Sequence, residues 1–356
     1  MVDTNWQFYK EISLSSSVPL SNYQVEFKVY WGPGVSSGNT IYTDYKCQNT
    51  FDDIRFTNDS GDNLPYYIAY ADGNSASIWV KVDSIGEDTT IRIYYGNENA
   101  TPASNGTDTF IFFYHYTEFT LDYFYDRWSL DQGNCNMNSG TFVVQQPFST
   151  VSSTTPFPVN TAMHICVVIL EIDEYAYWGI YSSEWMEGHG VFFVHHPVNN
   201  TINFVRSSQI YETSDDCHND ETYLLQEYEI QRHGTSSIVA KIEGGVVASG
   251  TTEFPTGDCL IRICAEKQDV YVFYAFVRNF SSSGVSYDGI GEEKKNQPEF
   301  VSEYNILSAK EFKSVIRKIR LNHKFTTITN GTDPVSVEFR TRVSSVTGIA
   351  APHDVI

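Results

Sequence analysis

Asp52-Asp53-Ile54-Arg55-Phe56-Thr57, Leu64-Pro65-Tyr66-Tyr67, Ile78-Trp79-Val80-Lys81-Val82 and Ile91-Arg92-Ile93-Tyr94-Tyr95-Gly96-Asn97 are four short blocks in one stretch of a 356-residue chain. They are rich in β-branched and aromatic residues, and Gly, Asn, Asp and Pro lie between them, as expected of strands separated by turns. Upstream, Tyr23-Gln24-Val25-Glu26-Phe27-Lys28-Val29 alternates apolar and polar with period two, which sends one set of side chains into a core and the other away from it. Gly32-Pro33-Gly34 and Ser36-Ser37-Gly38-Asn39 supply turn chemistry. Strands recurring every eight to twelve residues or so, with no helical period, predict an antiparallel β-sandwich.

Together with Trp6-Gln7-Phe8-Tyr9-Lys10-Glu11-Ile12 and Asn22-Tyr23-Gln24-Val25, these blocks resemble the family catalogued as domain of unknown function 2341, a module of bacterial, archaeal and viral proteins. The resemblance spans residues 5–113 and implies a surface β-sandwich with no agreed reaction. A polar linker, Asn97 to Asp108, follows. Beyond it the chain resembles concanavalin/laminin-G-like jelly rolls, through Phe124-Tyr125-Asp126-Arg127-Trp128, Ser139-Gly140-Thr141-Phe142-Val143-Val144 and Val270-Tyr271-Val272-Phe273-Tyr274-Ala275-Phe276-Val277-Arg278. The expected architecture is all-β: one sandwich at 1–108, a jelly roll at 109–290, and a C-terminal linker and β-hairpin at 291–356. In that tail, Val315–Ile328 and Val335–Val343 flank Asn330-Gly331, a strong hairpin signal.

The formal charge is −21. Residues 297–356 hold 8 Lys and Arg against 6 Asp and Glu, so the tail is mildly basic and the body more acidic than the whole. An acidic body argues against nucleic acid and anionic membrane as partners. No run of apolar residues is long enough to span a bilayer. No signal peptide is expected ahead of Trp6. A cleaved leader, or export without one, as for a virion component, would each explain that. The six cysteines include no CxxC pair, which leaves disulfides and buried free thiols both open. Asn-x-Ser/Thr sequons begin at Asn58, Asn99, Asn105, Asn199, Asn279 and Asn330, in keeping with surface exposure.

Chemistry is sparse. Glu171-Ile172-Asp173-Glu174-Tyr175 invites comparison with family-16 glycoside hydrolases, which carry Glu-x-Asp-x-Glu on one strand of a jelly roll. Here alternation gives Glu171 and Asp173 one face, but Tyr175 takes the third position, so the second catalytic carboxyl is missing. Asp215, Asp216, Asn219 and Asp220 form an oxygen-rich segment that could hold Ca²⁺ in a loop, although it lacks EF-hand spacing and reads more readily as a solvated acidic loop. His195-His196 sit on opposite faces of a strand and cannot easily chelate one ion. Trp178, Tyr181, Trp185 and His189 cluster near Glu184 and Glu187 and are candidate sugar-stacking residues, against the alternative that such rings fill the core. Lys310, Lys313, Arg317, Lys318 and Arg320 are expected to dock the tail on an acidic neighbour, such as the body of the next protomer.

The sequence therefore predicts a non-catalytic, surface-exposed structural or adhesive protein, a subunit of a virion surface or extracellular appendage that contacts glycans or a receptor. The alternatives are a cell-surface glycan-binding module and a glycoside hydrolase. The expected partners are further copies of the chain, other structural proteins of an assembly, or a glycan. The expected location is extracellular, at a cell surface or on a virion.

Overall fold

The computed structural model describes residue 2 and residues 5–296, apart from 119–120, 139–140, 170–174, 183–189, 197–200, 208–211, 220–224, 252–253 and 267–268. It also describes 339–342 and 351–355. Residues 1–297 form one unit and 298–356 a second.

The first sandwich is built from β1 (Phe8–Ser15), β2 (Leu20–Tyr30), β3 (Thr40–Tyr42), β4 (Arg55–Asn58), β5 (Asn63–Leu64), β6 (Tyr66–Ala71), β7 (Ser75–Ile85) and β8 (Thr89–Tyr95). One of its sheets runs β3-β2-β7-β6, antiparallel except for the β2–β3 pair. Period-two alternation does the sorting. In β7, Ala76, Ile78, Val80 and Val82 are buried against Phe27, Phe56 and Ile93, while Ser77, Trp79 and Lys81 point outward. Asp53, from the stretch quoted first, is fully buried. Its carboxylate accepts the backbone N–H groups of Gln48 (2.9 Å), Gly96 (2.7 Å) and Asn97 (3.1 Å). Gly96 has φ +88°, and a Cβ there would meet the Phe8 ring at 2.7 Å, so only glycine fits the turn that Asp53 clamps.

A short helix α1 (Gly106–Thr109), N-capped by the Asn105 side chain, leads into the second sandwich. This contains β9 (Phe112–His115), α2 (Leu121–Arg127), β10 (Trp128–Asn138), β11 (Thr141–Ser153), β12 (Thr161–Ile169), β13 (Ala176–Ser182), β14 (Gly190–His196), β15 (Thr201–Ser207) and β16 (Glu212–Asn219). It continues with β17 (Gln226–His233), β18 (Ser237–Ile242), β19 (Gly245–Gly250), β20 (Cys259–Ala265) and β21 (Val270–Asn279). Hydrogen bonding runs continuously as β16-β15-β14-β13-β20-β11-β21-β12-β17-β18-β19. The long β11 joins the two layers: residues 142–144 pair with β21 and residues 149–152 with β20. Between the layers Trp178 and Phe193 pack on Tyr228, with ring centroids 5.0 and 4.8 Å apart. The arrangement is jelly-roll-like and entirely antiparallel.

The chain then returns to the first sandwich. β22 (Ser286–Ile290) and β23 (Lys294–Lys295) both pair with β1, in a sheet ordered β22-β1-β8-β4-β5. Residues 286–290, grouped with the jelly roll on sequence, thus complete the N-terminal fold. Lys46 Nζ bonds Glu293 at 2.6 Å and Tyr95 Oη donates to Glu293 at 2.8 Å, fixing the return. In the second unit, β24 (Phe339–Arg342), part of the hairpin expected around Asn330-Gly331, pairs with β25 (Ala351–Val355). The remainder of that expected hairpin lies outside the described residues.

Among the described residues no helix is long and apolar enough to cross a membrane. Cys47, Cys135, Cys166, Cys259 and Cys264 are free thiols. Burial pushes Cys47 and Cys166 up to about 12 and Cys259 up to about 11, so these three stay protonated and unreactive.

Candidate functional site

The outer face of the β21-β12-β17-β18 layer is polar by the same alternation that makes its inner face apolar. In β12, Met163, Ile165 and Val167 point into the core and His164 points out. In β17, Tyr228 and Ile230 point in, and Glu227, Glu229 and Gln231 point out. β21 contributes Tyr274, Phe276 and Arg278, and β18 contributes Lys241. Only part of this face meets bulk water, with the Glu227 side chain 36% exposed. It meets the outer face of the first sandwich, where β2 and β7 present Gln24, Glu26, Ser77 and Trp79.

Contact at the junction is both apolar and polar. Tyr67, Phe110, Phe113 and Phe276 form a small core of their own, with Trp79 and Tyr274 packed against it. Gln24 Nε2 donates to Thr109 O (2.7 Å), while Gln24 Oε1 accepts from Asn279 N (2.8 Å). Beside this contact lies a cleft of about 380 Å³ lined from both sandwiches. Glu26, Tyr67, Ala69, Tyr70, Ser77 and Trp79 come from the first; His164, Glu227, Glu229, Lys241, Tyr274 and Arg278 come from the second. A register shift between Ile68 and Tyr70 in β6 explains why two successive residues, Ala69 and Tyr70, line the same cleft: one extra residue breaks the alternation and re-aims the Tyr70 ring. Tyr70 is 59% exposed.

The floor is a buried ion cluster. Arg278 Nη2 bonds Glu229 Oε1 at 2.7 Å, Lys241 Nζ approaches Glu229 Oε2 at 3.2 Å, and Gln231 donates to Glu229 at 2.8 Å. His164 Nδ1 lies 3.2 Å from Glu227 Oε1, and Tyr274 Oη donates to the other Glu227 oxygen. On the far side of the ring, His164 Nε2 is 3.2 Å from Glu229 and 3.0 Å from Arg278 Nε. These two contacts belong to two protonation states. Neutral imidazole accepts from Arg278 at Nε2, and imidazolium donates there to Glu229. Burial alone would lower the His164 pKa, but Glu229 and Glu227 outweigh it and raise it. Burial would likewise raise both glutamates, yet His164 and its neighbours hold Glu227 and Glu229 below the ordinary carboxylate range.

Of the residues singled out on sequence, the described ones do not line this cleft. Trp178 is 0% exposed and fills the jelly-roll core, as a strand aromatic between two sheets is placed to do, so it is no surface platform. Tyr181 stays partly accessible, but its ring carries Arg262 at 4.1 Å. Trp185, His189 and Asp220 lie outside the described residues, as do Lys310, Lys313, Arg317, Lys318, Arg320 and residues 171–174. Asp215, Asp216 and Asn219 belong to strand β16, paired with β15, and not to the loop expected for a calcium ligand set. Among the described residues no cluster of His, Cys, Asp and Glu is arranged to hold a metal.

Sequence reading missed Tyr70, Trp79, His164, Glu227, Glu229 and Arg278. The alternation Gln226-Glu227-Tyr228-Glu229-Ile230-Gln231 was there to be read, but it looks like any solvated strand face until its neighbour is known. A second concavity of about 490 Å³ is lined by Asn5, Gln7, Gly96, Asn97, Glu98 and Asn99, and has no ring in its wall.

Residues 50–131 match the family model described as Domain of unknown function (DUF2341). The match runs from the Asp53 clamp through β4 to β8 and into β10. No curated protein matches the chain. Solved structures similar to it include an endo-acting O-glycanase of human gut microbiota (10% identity, TM-score 0.39, covering 48% of this chain and 100% of that one). Others are a carbohydrate-binding module from Bacillus subtilis (7%, TM-score 0.34, 45% and 94%) and a Bacillus licheniformis β-glucanase (12%, TM-score 0.37, 48% and 97%).

Proposed function

We propose that the chain is a non-catalytic glycan-binding protein acting outside the cell, with the cleft between its two sandwiches as the binding site. The observation that carries this reading is the composition of that cleft. An exposed ring, Tyr70, stands at the mouth beside carboxylates and a hydroxyl from both sandwiches. A pyranose presents an apolar C–H face and a rim of hydroxyls, and such a site meets both: the ring takes the face, and Glu26, Ser77 and Glu227 take the rim.

Binding without hydrolysis fits the electrostatics. Both inverting and retaining glycosidases need one carboxyl that stays protonated to give its proton to the leaving oxygen. In this cleft Glu227 and Glu229 are held ionised by His164, Arg278 and Lys241, the opposite of an acid's environment.

A glycan array probed with the full chain and with Tyr70→Ala tests the reading. Retention of oligosaccharides by the full chain and loss of at least about ten-fold in affinity for the variant is expected, the scale of one stacking contact. Glycan binding that Tyr70→Ala leaves unchanged would remove the cleft as the site, and release of reducing sugar during incubation would remove the non-catalytic assignment.

A further inference from the structure

The glycan reading leaves the chemical class of the sugar open, and the inference here rests on that reading. The cations of the cleft are occupied within the protein. Arg278 gives Nη2 to Glu229, Nε to His164 and Nη1 to the Asn279 carbonyl (3.4 Å), and its flat face lies between Trp79 (5.1 Å) and Phe280 (5.5 Å). Lys241 is held by Glu229, which is only 8% exposed and lies at the floor. The accessible charge is of the other sign. Glu227 keeps 36% of its side chain exposed. Glu26 is half-buried and accepts from Ser77 through Oε1 at 2.6 Å, and Oε2 has no partner within the described protein. The mouth of the cleft thus offers acceptors and negative charge next to an exposed tyrosine ring, and its guanidinium and ammonium are already paired with Glu229.

We infer that the cleft takes a sugar bearing a free amine, a hexosamine unit whose ammonium lies among Glu26, Glu227 and the Tyr70 face, and that it rejects uronic and sialic acids. An ammonium satisfies carboxylate acceptors and is attracted to an aromatic face. A sugar carboxylate would meet two like charges, while the Arg278 guanidinium and the Lys241 ammonium are already paired with Glu229.

The test is calorimetric titration of the full chain with three oligosaccharides of equal length: glucosamine, N-acetylglucosamine and galacturonate. Glucosamine oligomers should bind on the order of ten-fold tighter than the acetylated ones, a preference that falls with added salt, and galacturonate should show no binding. Glu26→Gln keeps the size of the side chain and the Ser77 contact, and it should erase the amine preference, bringing the glucosamine and acetylated oligomers to equal affinity. Equal binding of amine and acetylated forms, or tighter binding of galacturonate, would overturn the inference and leave the glycan reading standing. Binding of none of the three would overturn the inference, and a blank array in addition would take the glycan reading with it.

Discussion

The guanidinium of Arg278 lies over the Trp79 ring, 5.1 Å from its centroid, so a cation on the last long strand of the jelly roll rests on an aromatic of the first sandwich. The same guanidinium holds Glu229 at 2.7 Å. One side chain therefore ties the ion cluster of the cleft to the contact between the two folds, and the shape of the cleft depends on how firmly that contact is kept.

Replacing Trp79 by Ala should loosen the junction rather than unfold either core. The ring packs against Phe110, His164 and Phe276, with centroids 6.2, 5.8 and 6.0 Å away. Losing those contacts and the cation–π pair costs about 3–5 kcal/mol for a well-packed aromatic. Hydrogen exchange should speed up in β6, β12 and β17 and stay slow in β13 and β20. Uniform acceleration across both sandwiches would contradict the placement.

Stability should depend on pH through His164 in a direction the geometry fixes. Its folded pKa is raised, so its contribution is present below the unfolded imidazole value of about 6.5 and is lost as pH rises through the folded value. Glu227 and Glu229 work the other way: their folded values are lowered, so their contribution is present above the ordinary carboxylate range and is lost as acid titrates them. Urea unfolding followed across pH should show a plateau with two shoulders, and His164→Gln should remove the alkaline one. An alkaline shoulder of the same size in His164→Gln would assign it to another group.

Breaking the ion cluster from the acidic side should be costly. Glu229→Gln leaves Arg278 and Lys241 facing a neutral amide in a buried setting, and loss of one partner of a buried pair costs about 3–5 kcal/mol. The urea midpoint of the full chain reports it. A change under about 0.5 kcal/mol would mean that the cluster is solvated.

Much of the first sandwich was legible because its strands carry clean alternation, and Tyr23–Val29, Ile78–Val82 and Ile91–Tyr95 all fall in strands. The closure of that sandwich was not legible. β22 begins at Ser286, nearly two hundred residues after β8 ends, and reads as an ordinary polar segment until it pairs with β1. The site was hidden for a related reason. Glu227, Glu229 and Arg278 lie on outward faces, which sequence reading assigns to water, and only the juxtaposition of two domains converts those faces into a buried cluster. Conversely, Trp178 drew attention as an aromatic among polar residues, yet strand alternation sends it to the core beside Ile180.

Cutting the chain before Ser286 should weaken the first sandwich although no residue before β9 is touched. Tyr287 donates to Glu26 O (2.9 Å), accepts from Glu26 N (3.2 Å) and packs edge-on against Phe27 at 5.5 Å. Tyr287→Ala in the full chain isolates that contribution, with an expected loss of about 2–4 kcal/mol read from the urea midpoint. An unchanged midpoint would show that β22 adds nothing to the fold it pairs with.

If both sandwiches hold a ligand at once, hydrogen–deuterium exchange of the full chain with and without a saturating glucosamine oligomer will register it on both. Slower exchange is expected in β6 and β7 together with β17 and β18, four of the strands whose residues line the cleft. Protection confined to one sandwich, or centred on residues 178–195, would contradict it.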